Sequence, residues 1–310
     1  MLIGFGTLAF FISPREWVLA LEQVPNRDLA LSSLFFLGGG LAVSARWRAC
    51  LSYRVGFPVA FHSQGIAMAG NLLIPSRVGE ALRVYALTRH GVPAEYGTSA
   101  GVQERLADQI FRILFFSAAL LVGGANQEQR TDFQLLGIIV GTVTLFGLLA
   151  LMVRYRVVMA DFSGKWVGRL PKLNAHMVEN FVRNTLQDLG TVWTRPGGPE
   201  AFAWGLLGWL LYTCHMCLVL PAFFPGQEIV LALVVMTFGT PTTAGKPGGY
   251  HLVLTAVLIA FTGDQEAALR AVVVLFFFQI VYYSLWGILS WFALRAGRGV
   301  NAPMVEQALP

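Results

Sequence analysis

The sequence has few charged residues. Only 13% of its 310 residues are Asp, Glu, Lys or Arg, against about 25% in soluble domains, whereas 55% are hydrophobic. The mean hydropathy is +0.61, and several apolar runs approach or reach the length of a membrane-crossing helix. Regular alternation of polar and apolar residues is weak, which argues against a β-barrel. We therefore predict an all-α, polytopic membrane protein whose backbone polar groups are satisfied within helices.

Residues that hold metals, cofactors or nucleic acids are also scarce. Cys214, His215 and Cys217 lie in an apolar run with no second Cys/His pair nearby, so we interpret them as ordinary helix packing. Hydrolase triads, P-loops, zinc motifs and dinucleotide fingerprints are absent, and we predict no catalytic residue, metal or cofactor. We attribute the net charge of +5 to Lys and Arg in cytoplasmic loops rather than to nucleic-acid binding.

Apolar segments mark six predicted transmembrane helices and two interrupted regions. The six segments are residues 1–13, 29–45, 105–125, 133–153, 201–222 and 267–294. The interrupted regions are 57–90, which breaks at Pro75, and 229–263, which breaks at residues 239–249. Each half of an interrupted region is shorter than the roughly 20 residues that a spanning helix needs. Re-entrant helical hairpins fit this pattern, and kinked full spans are the alternative.

Basic residues set the orientation. Twelve Lys and Arg residues lie in 46–56, 154–200 and after the last span, against three in the remaining loops. The positive-inside rule places the basic segments and both termini in the cytoplasm. When the chain is followed back and forth across the membrane with this constraint, residues 1–125 and 133–294 each form the series span, span, hairpin, span. The second series runs in the opposite direction to the first. Such inverted repeats place transport sites near the midplane. An irregular bundle is the alternative.

The predicted domain organisation is simple. Residues 1–295 form a single transmembrane domain, and residues 296–310 form a disordered tail. Within the domain, residues 154–200 are polar and carry an apolar helical stripe in 175–193. We predict that they form amphipathic helices on the cytoplasmic membrane surface.

The first break, "NLLIPSRVGEALR" at residues 71–83, is the richest candidate site. Its proline ends one helix, and the serine that follows can cap the next, whose free N–H groups attract anions. Arg77 adds a full positive charge there. Glu80 and Arg83 lie one turn apart and can pair. Asn71 can satisfy backbone groups at the tip. This combination predicts a polar, net-positive pocket within the membrane.

A second set of charges follows in "QERLADQIFR". Glu104, Asp108 and Arg112 recur on one helix face, and Arg105 can pair with Asp108. Ionisable residues in membrane helices face a cavity or a partner, because exposure to lipid is costly. We expect this face to meet the arginines of the first break. Both an anion-binding role and a purely structural ion-pair network remain open.

The second break, "TPTTAGKPGGYH", contributes Lys246 and His251. Lys246 at the tip of an outer hairpin would face the Arg77 region, and a cation from each hairpin suits a phosphate-bearing ligand. Snorkelling of Lys246 to the surface is the alternative. We interpret His62 and His215 as packed or hydrogen-bonded residues rather than ligands.

The two charged motifs resemble those of a known family. The pattern N-x-x-x-P-x-R-x-G-E-x-x-R at 71–83, followed by E-R-x-x-D at 104–108, is similar to the transmembrane, flippase-like region of lysylphosphatidylglycerol synthases. The resemblance covers nearly the whole chain and implies a polytopic lipid-translocating protein. The characteristic set that it implies is Asn71, Pro75, Arg77, Gly79, Glu80, Arg83, Glu104, Arg105 and Asp108.

The resemblance also sets limits. Members fused to a soluble aminoacyl-transferase domain make and flip aminoacylated lipid, and we expect this chain to be a stand-alone member that is not a synthase by itself. At the second break the family shows a proline, glycines and a following glutamate, whereas the ionisable residues here are Lys246 and His251. This departure leaves the headgroup of the lipid open.

We predict that the protein is not an enzyme but moves a phosphate-bearing, anionic or modified lipid between leaflets of the bacterial inner membrane. One alternative is a membrane enzyme or accessory subunit in polyprenyl, hopanoid or glycolipid modification, and another is a small-anion transporter. The expected partner is a membrane phospholipid or lipid-linked substrate. A second copy of the chain, or a separate lipid-modifying enzyme, is left open as a further partner.

Overall fold

The computed structural model describes residues 14–73, 78–124, 147, 151, 154–167, 179, 183, 196–239 and 249–296. Secondary structure in these ranges is helical, with no strand. The helices are α1 (Pro14–Glu22), α2 (Asn26–Cys50), α3 (Phe57–Leu73), α4 (Val78–Thr88), α5 (Ala94–Gly124), α6 (Arg156–Val167), α7 (Gly198–Val219), α8 (Glu228–Phe238), α9 (Gly249–Thr262) and α10 (Gln265–Ala296). The predicted spans 1–13 and 133–153, apart from residues 147 and 151, and the tail from residue 297 lie outside the described residues.

Four helices are long and apolar enough to cross a membrane. They are α2, residues Ala94–Gly123 of α5, residues Gly198–Ala222 that comprise α7 and the short 3-10 turn after it, and residues Gln265–Arg295 of α10. They confirm a helical, multi-pass membrane protein and match four of the predicted spans. The predicted bounds were too narrow, because they followed apolar runs alone. Helix α2 continues through Arg46 to Cys50, and α5 begins ahead of Glu104.

Both interrupted regions form two helices each, on either side of the predicted break. Helices α3 and α4 have 17 and 11 residues, and α8 and α9 have 11 and 14. At 1.5 Å per residue these helices are about 26, 17, 17 and 21 Å long. Each is therefore shorter than the roughly 30 Å hydrocarbon core of a bilayer.

Glycines bring α3 and α4 into backbone contact. A Cβ added to Gly70 would lie 2.9 Å from the Cα of Gly79, and a Cβ added to Gly79 would collide with the carbonyl oxygen of Ala67. Close approach of this kind is what small residues permit between membrane helices, where packing replaces the hydrophobic effect. The contact places Asn71, near the end of α3, beside Gly79, near the start of α4.

Three helix pairs join the first and second halves of the chain. Helices α2 and α7 pack antiparallel, since Ser32 meets His215 near one end and Ala49 meets Gly197 near the other. Helix α3 packs on α10, where Gly65 faces Trp286. Helix α8 packs on α5, where Phe238 and Phe116 are 5.8 Å apart. Among the described residues, the larger of two buried apolar clusters is formed mostly by α7, α8, α9 and α10, with contributions from α1, α2 and α5.

Helix α6 lies within the predicted amphipathic region 154–200. Its Val158 and Phe162 are 63% and 61% exposed. Arg183 forms ion pairs with Asp161 at 3.1 Å and Glu179 at 2.7 Å. Exposed apolar side chains beside charged ones suit a membrane surface. The apolar stripe predicted in 175–193 lies almost wholly outside the described residues.

Substitution of Gly79 should destabilise the protein. A methyl group at Gly79 must displace the α3 backbone, and overpacking of this kind costs about 1–3 kcal/mol. Gly38→Ala is the matched control, because its Cβ would lie 3.5 Å from Leu211, an ordinary contact, and alanine favours the helix. Thermal unfolding in detergent should show a lower Tm for Gly79→Ala and an unchanged or higher Tm for Gly38→Ala. Equal Tm values for Gly79→Ala and the unmodified protein would contradict the close backbone contact.

Candidate functional site

Arg83 is the centre of a buried ion network between α2, α4 and α5. Its side chain is 2% exposed. The Nη1 atom donates to Glu104 Oε2 and to Gln64 Oε1, both at 2.7 Å, and Nη2 donates to Glu80 Oε2 at 2.7 Å. The guanidinium group also lies 3.7 Å from the ring centroid of Trp47. Two carboxylates, an amide oxygen and a π face therefore hold this cation in place.

Arg46 extends the network from the other side. Its Nη1 is 2.6 Å from Asp108 Oδ1, and its Nη2 donates to the backbone carbonyl of Glu104. Trp209 Nε1 donates to the same Asp108 oxygen at 3.3 Å, so α7 is tied to the network too. The sequence-based assignment of Arg46 to a cytoplasmic loop was wrong. Arg46 is 3% exposed and lies within α2, because Asp108 compensates its charge there.

Arg105 joins the two parts and is the most accessible of the three arginines. Its Nη2 pairs with Glu80, and its Nη1 is 3.6 Å from Asp108 Oδ2. Its side chain is 31% exposed, compared with 2–3% for the other two arginines. The six side chains are Arg46, Glu80, Arg83, Glu104, Arg105 and Asp108, and their formal charges cancel. Mutual pairing lowers the free-energy cost of burying these six ionised side chains, since an unpaired buried charge is costly.

The structure confirms the predicted pairs within the two motifs. Glu80 pairs with Arg83, Arg105 contacts Asp108, and the face that carries Glu104 meets Arg83. Arg112 lies one turn beyond Asp108, where its Nη1 is 3.5 Å from Gln109 Oε1. Asn71 is 7% exposed, and its Oδ1 has no hydrogen-bond partner within the described ranges.

Three other predicted site residues are not placed by the structure. Arg77 and Lys246 lie outside the described residues. His251 belongs to α9, but its side chain lies outside them. The predicted meeting of one cation from each hairpin therefore stays a prediction.

A cavity of about 100 Å³ lies between the two halves of the chain. One end is lined by the network, through Arg46, Glu104, Arg105 and Asp108, together with Gln64 of α3. The cavity continues past methionines of α3, α7 and α8 towards the region of Phe36, which lies about 15 Å from Arg46 along the axis of α2. It is large enough for several water molecules or a small polar group.

The far end of the cavity is polar but uncharged. It is lined by Tyr212 and His215 of α7 and by Gln279 and Tyr283 of α10. The hydroxyl groups of the two tyrosines share a hydrogen bond. His215 is 1% exposed, and its Nδ1 lies 2.6 Å from the hydroxyl oxygen of Ser32.

Both histidines are packed and hydrogen-bonded, as the sequence predicted. His215 is hydrogen-bonded to Ser32 and lies edge-on to the rings of Phe36 and Phe278, at centroid distances of 5.1 and 4.7 Å. His62 Nδ1 lies 3.3 Å from the hydroxyl oxygen of Ser290. Within the described ranges, no group of three or more His, Cys, Asp or Glu residues is arranged to hold a metal ion.

Sequence reasoning missed most of the residues that line the cavity. Arg46, Gln64 and Trp209 were not selected, although Arg46 and Gln64 are polar residues that interrupt apolar segments. That interruption was the available signal for both. Tyr212, Gln279 and Tyr283 gave no such signal, because their neighbourhood forms only when α7 packs near α10.

Comparison with known proteins identifies a family for most of the chain. The family model described as "Lysylphosphatidylglycerol synthase TM region" matches residues 1–287. This range includes both interrupted regions, the ion network and every residue that lines the cavity. Neither a curated protein nor a solved structure gave a significant match.

Removing one member of the buried network should be far more costly than removing a surface pair. Arg83→Leu strands Glu104, whereas Glu80 keeps Arg105, and loss of one partner from a buried pair costs about 3–5 kcal/mol. The double variant Arg83→Leu/Glu104→Leu should lose at least about 1 kcal/mol less than the sum of the two single variants, because it leaves fewer charges unpaired. Unfolding in detergent measures all three.

Arg270→Leu is the control for this cycle. Arg270 pairs with Glu266 one turn away, and the two side chains are 41% and 75% exposed. Exposed pairs contribute about 1 kcal/mol or less. A loss for Arg83→Leu no larger than that for Arg270→Leu, or strict additivity in the cycle, would show that the buried network does not stabilise the fold.

Proposed function

Because the chain belongs to the lysylphosphatidylglycerol synthase TM region family, we propose that it moves a phosphate-bearing lipid headgroup between the leaflets of a membrane. The family match supports a membrane protein of lipid modification or flipping. The observation that carries the flipping proposal is the cavity between the two halves, which exposes Arg105 to its interior. A phosphate that crosses a bilayer must have its charge compensated on the way, and a guanidinium group offers several donors for it.

Arg105 is the residue best suited to meet the phosphate. It lines the cavity, and its contact with Asp108 is 3.6 Å long, so one end of its guanidinium group is loosely held. Arg83, in contrast, already has close partners on both terminal nitrogens. Arg83 therefore holds the helices, and Arg105 is available to a ligand. Arg77 and Lys246, placed by the sequence at the two breaks, would add one cation from each hairpin.

The packing of the helices supports an inverted repeat. Exchange of α2 with α7, of α3 and α4 with α8 and α9, and of α5 with α10 leaves the main contacts unchanged. Thus α3 packs on α10 as α8 packs on α5, and α2 packs on its own counterpart α7. The antiparallel direction of α2 and α7 is what an axis in the membrane plane requires. In such transporters the substrate site lies at the repeat interface.

The same contacts support re-entrant hairpins. The start of α3 and the end of α4 both lie near the end of α2. Ala60 in the first turn of α3 and Val92 just after α4 belong to one buried cluster with Trp47 of α2. Helix α8 begins beside the end of α5, where Val230 meets Gly123, and α9 ends at Thr262 just before α10. Each hairpin would thus start and finish on one face, with the faces opposite. The basic face would be cytoplasmic, in a bacterial inner membrane.

Neutralising Arg105 should slow lipid exchange without unfolding the protein. In Arg105→Gln, Glu80 keeps Arg83 and Asp108 keeps Arg46, so no carboxylate is stranded. Loss of one charge-assisted hydrogen bond, about 1.5–3 kcal/mol, should slow exchange about tenfold or more. Exchange of fluorescent anionic lipid in proteoliposomes, read by dithionite quenching, measures this. A fluorescent zwitterionic lipid should be affected less. Arg77→Gln and Lys246→Gln should act in the same direction.

Arg270→Gln is the matched control and should exchange lipid at the normal rate. Folded Arg105→Gln protein that exchanges anionic lipid as fast as Arg270→Gln would contradict the proposed site. Conversion of the lipid into another species would favour the enzyme alternative, and flux of a soluble anion without lipid exchange would favour the anion transporter.

Cysteine labelling tests the proposed orientation. In a background without the three native cysteines, cysteines introduced at Gln127 and Gly226 should react with an impermeant reagent in intact cells. Cysteines at Ser52 and Asn174 should react only after lysis, because the basic segments are cytoplasmic. Labelling of Ser52→Cys in intact cells would exclude the opposed-hairpin layout, since region 57–90 would then have to cross the membrane.

A further inference from the structure

We propose that the cavity opens by a movement of α8 and α9 away from α5, while α3 and α4 keep their place against α5. The inference deepens the proposed function and rests on it, since a transporter needs an element that moves. Its basis is a difference between the two halves of the chain. They pack alike around α2 and α7, but the buried ion network lies in the first half.

Matching contacts identify residues that correspond in the two halves. A Cβ added to Gly39 of α2 would lie 2.8 Å from Cε1 of Tyr212 of α7, and a Cβ added to Gly208 of α7 would lie 3.3 Å from Cγ2 of Val43 of α2. Exchange of α2 with α7 therefore matches Gly208 with Gly39 and Tyr212 with Val43. The two helices meet in the same way from both sides.

One turn further along each helix, the same correspondence matches Arg46 with His215. The Arg46 guanidinium carbon is 5.8 Å from the ring centroid of Phe111 of α5, and the His215 ring is 4.7 Å from that of Phe278 of α10. Phe278 therefore corresponds to Phe111, and α10 to α5. Arg46 and His215 both line the cavity, so each half contributes a wall.

The carboxylates of α5 have apolar counterparts on α10. Counted back from the two matched phenylalanines, Glu104 corresponds to Ala271 and Asp108 to Leu275. Ala271 and Leu275 are buried and belong to the apolar cluster that α8 and α9 share with α10. The second half therefore holds its two short helices by apolar packing at the place where the first half uses charge.

The two arrangements differ in what a movement costs. Separation of α4 from α5 would part Arg83 from Glu104 in a low-dielectric interior, which is strongly unfavourable. Separation of α8 from α5 would part apolar side chains such as Phe238 and Phe116, whose exposed surface lipid tails can cover. The second separation therefore meets the smaller barrier.

Helix α8 also reaches the cavity. Met236 of α8 and Gly239, directly after it, line the cavity wall. The Thr237 hydroxyl donates to the Leu233 carbonyl of the same helix, so it does not tie α8 to a neighbour. Displacement of α8 from α5 would thus open the side of the cavity and leave every ion pair of the network in place.

Two engineered disulfides test which helix must leave α5. A Cβ added to Gly123 of α5 would lie 3.3 Å from Cγ1 of Val230 of α8, and a Cβ added to Gly97 of α5 would lie 3.5 Å from Cγ1 of Val84 of α4. A cysteine Sγ can occupy the position of a valine Cγ, so Gly123→Cys/Val230→Cys and Gly97→Cys/Val84→Cys can each form a disulfide. Both pairs are placed in the full chain without its three native cysteines.

We expect the disulfide between α5 and α8 to abolish exchange of fluorescent anionic lipid in proteoliposomes, and reduction of that disulfide to restore it. The disulfide between α5 and α4 is the matched control and should leave exchange at its normal rate. Back-extraction of the lipid with serum albumin measures exchange, because dithionite would reduce the disulfides. Loss of exchange with the α5–α4 disulfide, or normal exchange with the α5–α8 disulfide, would overturn the inference.

Spin labels measure the movement itself and do not depend on lipid exchange. Labels at Leu252 of α9 and Tyr85 of α4, which are 74% and 55% exposed, are each paired with a label at Leu121 of α5, which is 50% exposed. Double electron–electron resonance in nanodiscs should give several distances for Leu252→Cys/Leu121→Cys and one narrow distance for Tyr85→Cys/Leu121→Cys. One narrow distance for the first pair, or several for the second, would overturn the inference.

The two measurements separate this inference from the proposed function. Several distances between α9 and α5 in a protein that exchanges no lipid would keep the movement and remove the flipping proposal. Lipid exchange by a protein with one fixed distance between α9 and α5 would do the reverse.

Discussion

The need to neutralise charge in a low-dielectric interior governs the centre of this protein. Arg83 is nearly inaccessible, yet it carries a full charge, which Glu80 and Glu104 compensate while Gln64 accepts a further hydrogen bond. These three partners come from three different helices, so the charge can be buried only if α3, α4 and α5 meet at one point. The network therefore fixes α3 and α4 against α5 more specifically than apolar packing between helices could.

The sequence predicted elements well where the signal was local. Apolar length gave four of the spans, and Pro75 with the glycines near residue 245 gave both breaks. Pairing of Glu80 with Arg83 followed from helical spacing. The prediction for Arg46 was wrong because its partner is distant in sequence. By itself, Arg46 resembles the first basic residue of a loop, but it forms an ion pair with Asp108, 62 residues along the chain. The cavity could not be predicted for the same reason, since its walls come from six helices.

The two ends of the cavity differ in how they hold polar groups. The network end uses full charges whose sum is zero, and the far end uses neutral dipoles fixed by Ser32 and by the tyrosine pair. This division gives the cavity a polarity along its length, although its surroundings are mostly apolar side chains.

The glycine contact between α3 and α4 has a mechanical consequence. With the Gly79 backbone seated against Ala67, the two helices cannot slide past one another without separating their main chains. Helices α3 and α4 therefore form one rigid unit. The opposite side of α3 packs on α10, where Gly65 contacts the Trp286 ring and Ala69 contacts Gly287. If α3 and α4 tilt together, they would pivot on α10. The tilt would move Gln64 of α3, which lines the cavity.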